Sequence, residues 1–161
     1  MNYIKFVDVT NRDGVQTSRL GLAKLQKTII NLMLNEMGIN QSEFGFPTTK
    51  HELNYLNGNL ELVKRGAIKT TKLSGWMRGI EEDVLLSFQN VPRLKYINLS
   101  VSTSDQMIKG KFGGKKTRDD IIKSTIFFIC SPKSYTLHDY VQKFFAKHLQ
   151  FFSQLPYLFY L

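Results

Sequence analysis

Three features of residues 1–123 predict an α/β fold on a parallel sheet. Strand-like and helix-like segments alternate at short intervals. Glycine or proline punctuates the helical segments, and polar and apolar residues alternate along the strands. Four such pairs in series leave two parallel architectures open, a barrel or a doubly wound sheet.

The elements follow in order. Residues 4–10 are predicted as a strand, and Leu22, Leu25, Ile29, Leu32, Met33 and Met37 then keep helical spacing up to a C-cap at Gly38. Residues 42–46 form a second predicted strand. Pro47-Thr48-Thr49 opens the next helix, with Thr49 and Glu52 at capping-box spacing. Leu53, Leu56, Leu60 and Val63 are its predicted buried stripe, and Gly66 stops it. Residues 69–75 make the third strand, and Ile80, Val84, Leu85 and Phe88 mark a helix that ends at Val91-Pro92. Residues 96–102 are the fourth strand, and Thr117 and Asp120 cap a fourth helix. Alternation places Asp8 and Thr10, Glu43 and Gly45, and Asn98, Ser100 and Ser102 opposite the apolar side chains. Those polar residues are expected to face the sheet interior, near the strand C-termini where parallel folds carry their chemistry.

Residues 124–161 break this pattern. They hold no glycine, one acidic residue (Asp139) and 11 of the chain's 20 aromatics. Two readings are open, an appended aromatic-rich module or a stretch of shifted frame after a truncation, and the composition favours the second. The expected division is therefore 1–123 as the barrel-type domain and 124–161 as a divergent tail.

Composition bounds the function classes. The 161 residues are 42% hydrophobic and 22% charged, which fits a globular protein. The single cysteine, Cys130, excludes a disulfide framework. With no long apolar run and Asp8 inside the would-be apolar stretch of a leader, a cytoplasmic location is expected. The net charge of +9 is compatible with phosphate-bearing partners and equally with a lysine-rich solvated surface. Its densest cluster, Lys109, Lys111, Lys115, Lys116 and Arg118, includes one aromatic, Phe112, so it lacks the stacking platform of a single-strand nucleic-acid binder. Gly110–Thr117 looks like a phosphate-binding loop, but Lys116 stands where Ser or Thr must hold magnesium.

The strongest chemical signal is Asp8-Val9-Thr10-Asn11-Arg12-Asp13-Gly14-Val15-Gln16 at the end of the first strand. Arg12 and Asp13 stand side by side just past a strand C-terminus, before a glycine that permits a tight bend. A carboxylate there suits a divalent cation, and a guanidinium suits an enolate or carboxylate. An Asp-Gly turn with a surface arginine is the plain alternative. Together with Ser42-Glu43-Phe44-Gly45-Phe46-Pro47 one βα unit later, the motif resembles the DRE-type metallolyases (HMGL-like, pyruvate carboxyltransferase domain). These are the (β/α)8 barrels of homocitrate, isopropylmalate, citramalate and Re-type citrate synthases and hydroxymethylglutaryl-CoA lyase. The stretches LQKTIINLMLNEMG, QSEFGFPTTKHE, LSGWMRGIEEDV and STSDQMIKGKFGGKKTRDD look most like the homocitrate and Re-citrate synthase branch.

The resemblance implies a partial (β/α)8 TIM barrel of about four βα units, roughly half of a ~250-residue barrel. It implies metal-dependent Claisen-type transfer from acetyl-CoA to a 2-oxo acid, with Mg2+, Mn2+ or Zn2+, in proteins that are homodimers at full length. Lyase-type cleavage is the chemical alternative, and a non-catalytic remnant or basic binding protein the other. By the same resemblance Asp13 is a metal ligand, Arg12 stabilises the enolate and Glu43 holds the network beside the metal. Gln16, Arg78, Ser102 and Thr103 contact substrate, and His51 is a candidate discriminator or a surface histidine. Asn11 replaces the family's usual Leu, a departure expected to be mild. The family completes its metal site with a His-x-His pair. Here the histidines are His51, His138 and His148, so the chain alone is expected to be inactive.

Overall fold

The computed structural model describes residues 4–130, so the predicted tail lies outside the described residues beyond Cys130. The chain divides after Val101 into two compact units. The first contains β1 (Val7–Asp8), α1 (Lys24–Glu36), β2 (Gln41–Gly45), α2 (Leu53–Lys64), β3 (Lys72–Arg78), α3 (Glu81–Asn90) and β4 (Tyr96–Ser100), with 3-10 turns at Gly14–Gln16 and Lys50–Glu52. The second contains α4 (Asp105–Phe112) and α5 (Arg118–Cys130). Among the described residues no helix is long and apolar enough to cross a membrane.

All strand pairs are parallel, and the sheet order is β1-β2-β3-β4. A doubly wound sheet reverses its order, whereas sequential order is that of a barrel. The protein is therefore an α/β fold with the strand order of a partial (β/α)8 barrel. Gly38 and Gly66 close α1 and α2 at φ 72° and 75°, as their positions in the sequence predict. Phe44, Leu56, Ile68, Met77, Val84 and Val91 are fully enclosed and form the core.

Several expectations need correction. The third strand runs three residues further than expected, through Trp76-Met77-Arg78, which puts Arg78 at the strand end rather than after it. Residues 105–112 are helical because Ser104 Oγ accepts from Met107 N and Gly113 closes the turn at φ 57°. On β1 the expected parity is inverted. Val7 pairs with Gln41 and shares the face of Glu43, while Asp8 pairs with Ser42 and accepts from Thr10 N and Oγ1. On β2 the register slips between Glu43 and Gly45. A Cβ on Gly45 would lie 2.7 Å from Glu52 Oε2 and 2.9 Å from Leu56, so Gly45 faces α2 and not the interior. The Thr49–Glu52 box is not formed; Glu52 turns inward to accept from Phe46 N at 2.9 Å and from Lys27 Nζ at 2.5 Å.

The largest departure concerns α1. Its apolar stripe faces out, with Leu25 70%, Ile29 42%, Met33 60% and Met37 72% exposed. Lys27, Asn31 and Leu34 are buried instead. Asn31 explains why a polar face can be inside. Its Nδ2 donates to Tyr55 Oη and Asn59 Oδ1, and its Oδ1 accepts from Asn11 Nδ2 and Ser42 Oγ. Asn11 is fully enclosed and also donates to Lys27 O at 2.8 Å, which makes it part of this buried layer. Burial pushes the Tyr55 phenol well above its ordinary value, which keeps it a neutral donor–acceptor in this layer.

Truncating Asn31 strands four partners in a dry environment, where each lost bond costs the full desolvation of the group left behind. Asn31→Ala is expected to lower stability by about 3 kcal/mol, read as a fall in the urea midpoint at unchanged slope. At α5 the predicted cap is formed. Asp120 accepts from Thr117 N at 2.8 Å and from Thr117 Oγ1 at 2.7 Å, and the backbone bond foremost, then the hydroxyl, holds its carboxyl below the ordinary range. A carboxyl depressed in the folded state contributes above its unfolded value and loses that contribution as pH falls through the folded value. Amide exchange in the first turn of α5 should therefore accelerate below about pH 4, and Asp120→Asn should remove that pH dependence.

Candidate functional site

The turn after β1 is organised by one carbonyl. Val9 O accepts from the backbone N–H groups of Arg12, Asp13 and Gly14 at 3.1, 2.8 and 3.1 Å. Gly14 is not what permits the bend. It is absent from the positive-φ residues, and a Cβ there would meet nothing closer than 3.7 Å.

Arg12 leaves this turn toward β2. Its Nε donates to Glu43 Oε2 at 2.9 Å, its Nη1 donates to Asp13 Oδ1 at 2.9 Å, and its Cζ stands 4.6 Å from the centroid of Trp76. Phe46 meets Trp76 edge-on at 5.2 Å and supports the ring. The register slip that turns Gly45 outward is consistent with Phe46 reaching Trp76. Glu43 is only 6% exposed, and its second oxygen accepts from Asn98 Nδ2 at 2.6 Å. Gln41 Nε2 donates to Asn98 Oδ1 and to Ser74 Oγ, and Ser74 Oγ donates to Ser42 O. The constellation thus joins all four strands. A carboxylate this enclosed is tolerated because both oxygens are bonded and a guanidinium balances its charge.

Arg12, Asp13, Glu43 and the sequence-expected interior residue Asn98 therefore come together. Trp76, Gln41 and Ser74 were missed, although counting back by two from Arg78 and from Glu43 along their strands reaches all three. Gln16 lies exposed on the 3-10 turn, and His51 is exposed before α2. Arg78 is engaged elsewhere: its Nε and Nη2 each donate to Asp83 at 2.7 Å, a bidentate pair that anchors the start of α3. The bonds to Asp83 hold its pKa above the usual arginine value. Ser102 and Thr103 belong to the second unit, where both are half-buried and Ser102 Oγ accepts from Lys111 Nζ at 2.7 Å.

The donor set does not fit a resident divalent ion. Among the described residues no three His, Cys, Asp or Glu side chains gather. Of the two carboxylates present, Glu43 is saturated by Arg12 and Asn98, and Asp13, 59% exposed at its side chain, is bridged by Arg12. In the second unit Lys111, Phe112, Gly113, Lys115 and Lys116 line a cavity of about 450 Å3. Gly110 lies inside α4, which rules out a strand-to-helix phosphate loop there.

Removing Arg12 leaves Glu43 charged, buried and short of its cation. Arg12→Ala is expected to cost about 3 kcal/mol and to shift the emission of Trp76, the chain's only tryptophan. Arg12→Lys should restore part of the stability without restoring the emission, because an ammonium does not stack as a planar guanidinium does.

Residues 3–151 match the HMGL-like family. Over 123 residues the chain is 63% identical to a citrate (Re)-synthase of Dehalococcoides mccartyi (strain CBDB1), covering 76% of this chain and 30% of that protein. It is 35% identical over 123 residues to a 2-isopropylmalate synthase 2 of Caldanaerobacter subterraneus subsp. tengcongensis, covering 75% of this chain and 29% of that protein. A 2-isopropylmalate synthase of Streptococcus gallolyticus (strain UCN34) is 28% identical over 124 residues, covering 76% and 23%. The chain spans about a third or less of the length of these relatives.

Proposed function

The chain belongs to the HMGL-like family, and from that premise we propose that its four strands carry one wall of a synthase active site, which transfers an acetyl unit from acetyl-CoA to a 2-oxo acid in the cytoplasm. Citrate (Re)-synthase and 2-isopropylmalate synthase relatives support a synthase over a lyase or a nucleic-acid binder. The observation that carries the reading is Arg12, held at the C-terminal end of β1 by Glu43, Asp13 and the face of Trp76.

In this reading each residue has a physical task. Arg12 offers a fixed positive charge to an enolate or carboxylate oxygen, and preorganisation by Glu43 and Trp76 removes the cost of orienting it during the reaction. Glu43 acts by positioning Arg12. Asp13, the exposed member, is the carboxylate available to a divalent cation, and Gln16 stands beside it on the same turn. Arg78 can reach a substrate carboxylate only by leaving Asp83, so it is the weakest member of the proposed set. Ser102 and Thr103 remain proposed substrate contacts on the strength of the resemblance.

The family's metal-dependent step requires donors that the described residues do not assemble. We therefore read the 161-residue chain as catalytically silent alone. The division at residue 123 is proposed on composition alone, and the family match runs past it to residue 151.

The purified chain should release no free thiol from acetyl-CoA with any member of a panel of 2-oxo acids, in magnesium or manganese. It should nevertheless bind 2-oxo dicarboxylates weakly, seen as a saturable change in Trp76 emission that Arg12→Ala abolishes. Thiol release dependent on a 2-oxo acid would overturn the inactivity. Absence of any Arg12-dependent binding would overturn the site.

A further inference from the structure

Two supports of Arg12 meet at Lys27, a buried residue of α1. The Lys27 carbonyl accepts from Asn11 Nδ2 at 2.8 Å, and Asn11 is the residue immediately before Arg12. The Lys27 ammonium donates to Glu52 Oε1 at 2.5 Å and lies 4.5 Å from the centroid of Tyr55. Glu52 carries the second support onward. Its Oε2 accepts from Phe46 N at 2.9 Å, the first amide past the end of β2. A glycine before Phe46 is what admits the carboxylate, because a Cβ on Gly45 would stand 2.7 Å from that oxygen. With its amide fixed, Phe46 meets Trp76 edge-on, and Trp76 turns its face to the Arg12 guanidinium.

We propose that Glu52 is a positioning residue for Arg12, acting through the Phe46 amide and the Trp76 ring, with Lys27 holding its carboxylate in place. The proposal rests on the reading of Arg12 as the group that meets a substrate oxygen. Glu43 and Asp13 accept from Nε and Nη1 and set where the guanidinium stands, whereas the ring against its face sets its tilt. Tilt matters because a guanidinium offers its remaining donors only in its own plane. What the site needs from Glu52 is an acceptor at Oε2; its charge answers the buried ammonium. The two tasks are separable. Glutamine keeps the acceptor, and methionine at position 27 leaves no buried ion unpaired while its thioether packs on Tyr55.

Variants of the full chain test this through the emission of Trp76, its quenching by acrylamide, and the binding of 2-oxoglutarate as a 2-oxo dicarboxylate probe. Lys27→Met combined with Glu52→Leu removes the acceptor together with both charges. It should red-shift the emission, raise the quenching and weaken binding about fivefold. Lys27→Met combined with Glu52→Gln should restore the emission and quenching, and most of the affinity. Gly45→Ala keeps both ions and crowds Oε2 off the Phe46 amide, so it should shift the emission as the leucine variant does. It also serves should the leucine variant lose its wild-type far-ultraviolet circular dichroism. Unchanged emission in Gly45→Ala or in the folded leucine variant would overturn the proposal. Equal impairment of the glutamine and leucine variants would do the same, since it would reduce Glu52 to half of an ion pair. A wild-type chain that binds no 2-oxoglutarate would count against the proposed function, and the emission series would still decide the role of Glu52.

Discussion

A buried carboxylate organises this sheet. Glu43 sits on β2 with almost no access to solvent, and a lone ion in that place would cost several kcal/mol. Its two oxygens are answered from opposite directions, by Arg12 after β1 and by Asn98 on β4. Because those partners come from the turn after β1 and from β4, satisfying one charge ties the width of the described sheet together. The same bonds fix the guanidinium against Trp76. The demand that stabilises the fold and the demand that orients a cationic site are one demand.

A second polar layer lies on the other side of the sheet, and it explains the odd disposition of α1. Asn11, Asn31, Asn59, Tyr55 and Ser42 bond one another around Asn31, with Lys27 paired to Glu52 nearby, and Asn11 Oδ1 is left without a partner among the described residues. Such a layer is specific, since it is stable only when every member is in place. It also uses the helix face that a bundle would fill with leucine, so the apolar residues of α1 are left to the flank. What reads as an exposed hydrophobic liability is then the natural consequence of an internal polar lock.

Placing the chain in the HMGL-like family does not by itself complete a catalyst. The residues that resemble the family's site are positioned with care, yet the carboxylates among them already neutralise Arg12. An additional set of donors would have to compete for Asp13, the more exposed of the two. Arg78 illustrates the difference between a motif and a site: it is in the expected neighbourhood, and a bidentate pair with Asp83 gives it an ordinary structural task.

Much of this was legible in the linear order of residues. The alternation of strands and helices, the glycines that end α1 and α2, the cap of Thr117 and Asp120, and the adjacency of Arg12 and Asp13 are all local, set by backbone sterics and spacing over a few residues. The meeting of Arg12 with Glu43 was legible through the resemblance alone, because 31 positions separate them. Tertiary structure decided the rest. Which face of α1 is buried depends on hydrogen-bond partners 20 and more residues away, and periodicity cannot register them. The side toward which Gly45 and Phe46 turn depends on a one-residue slip between β2 and β3, and a slip of that size reverses every side chain beyond it.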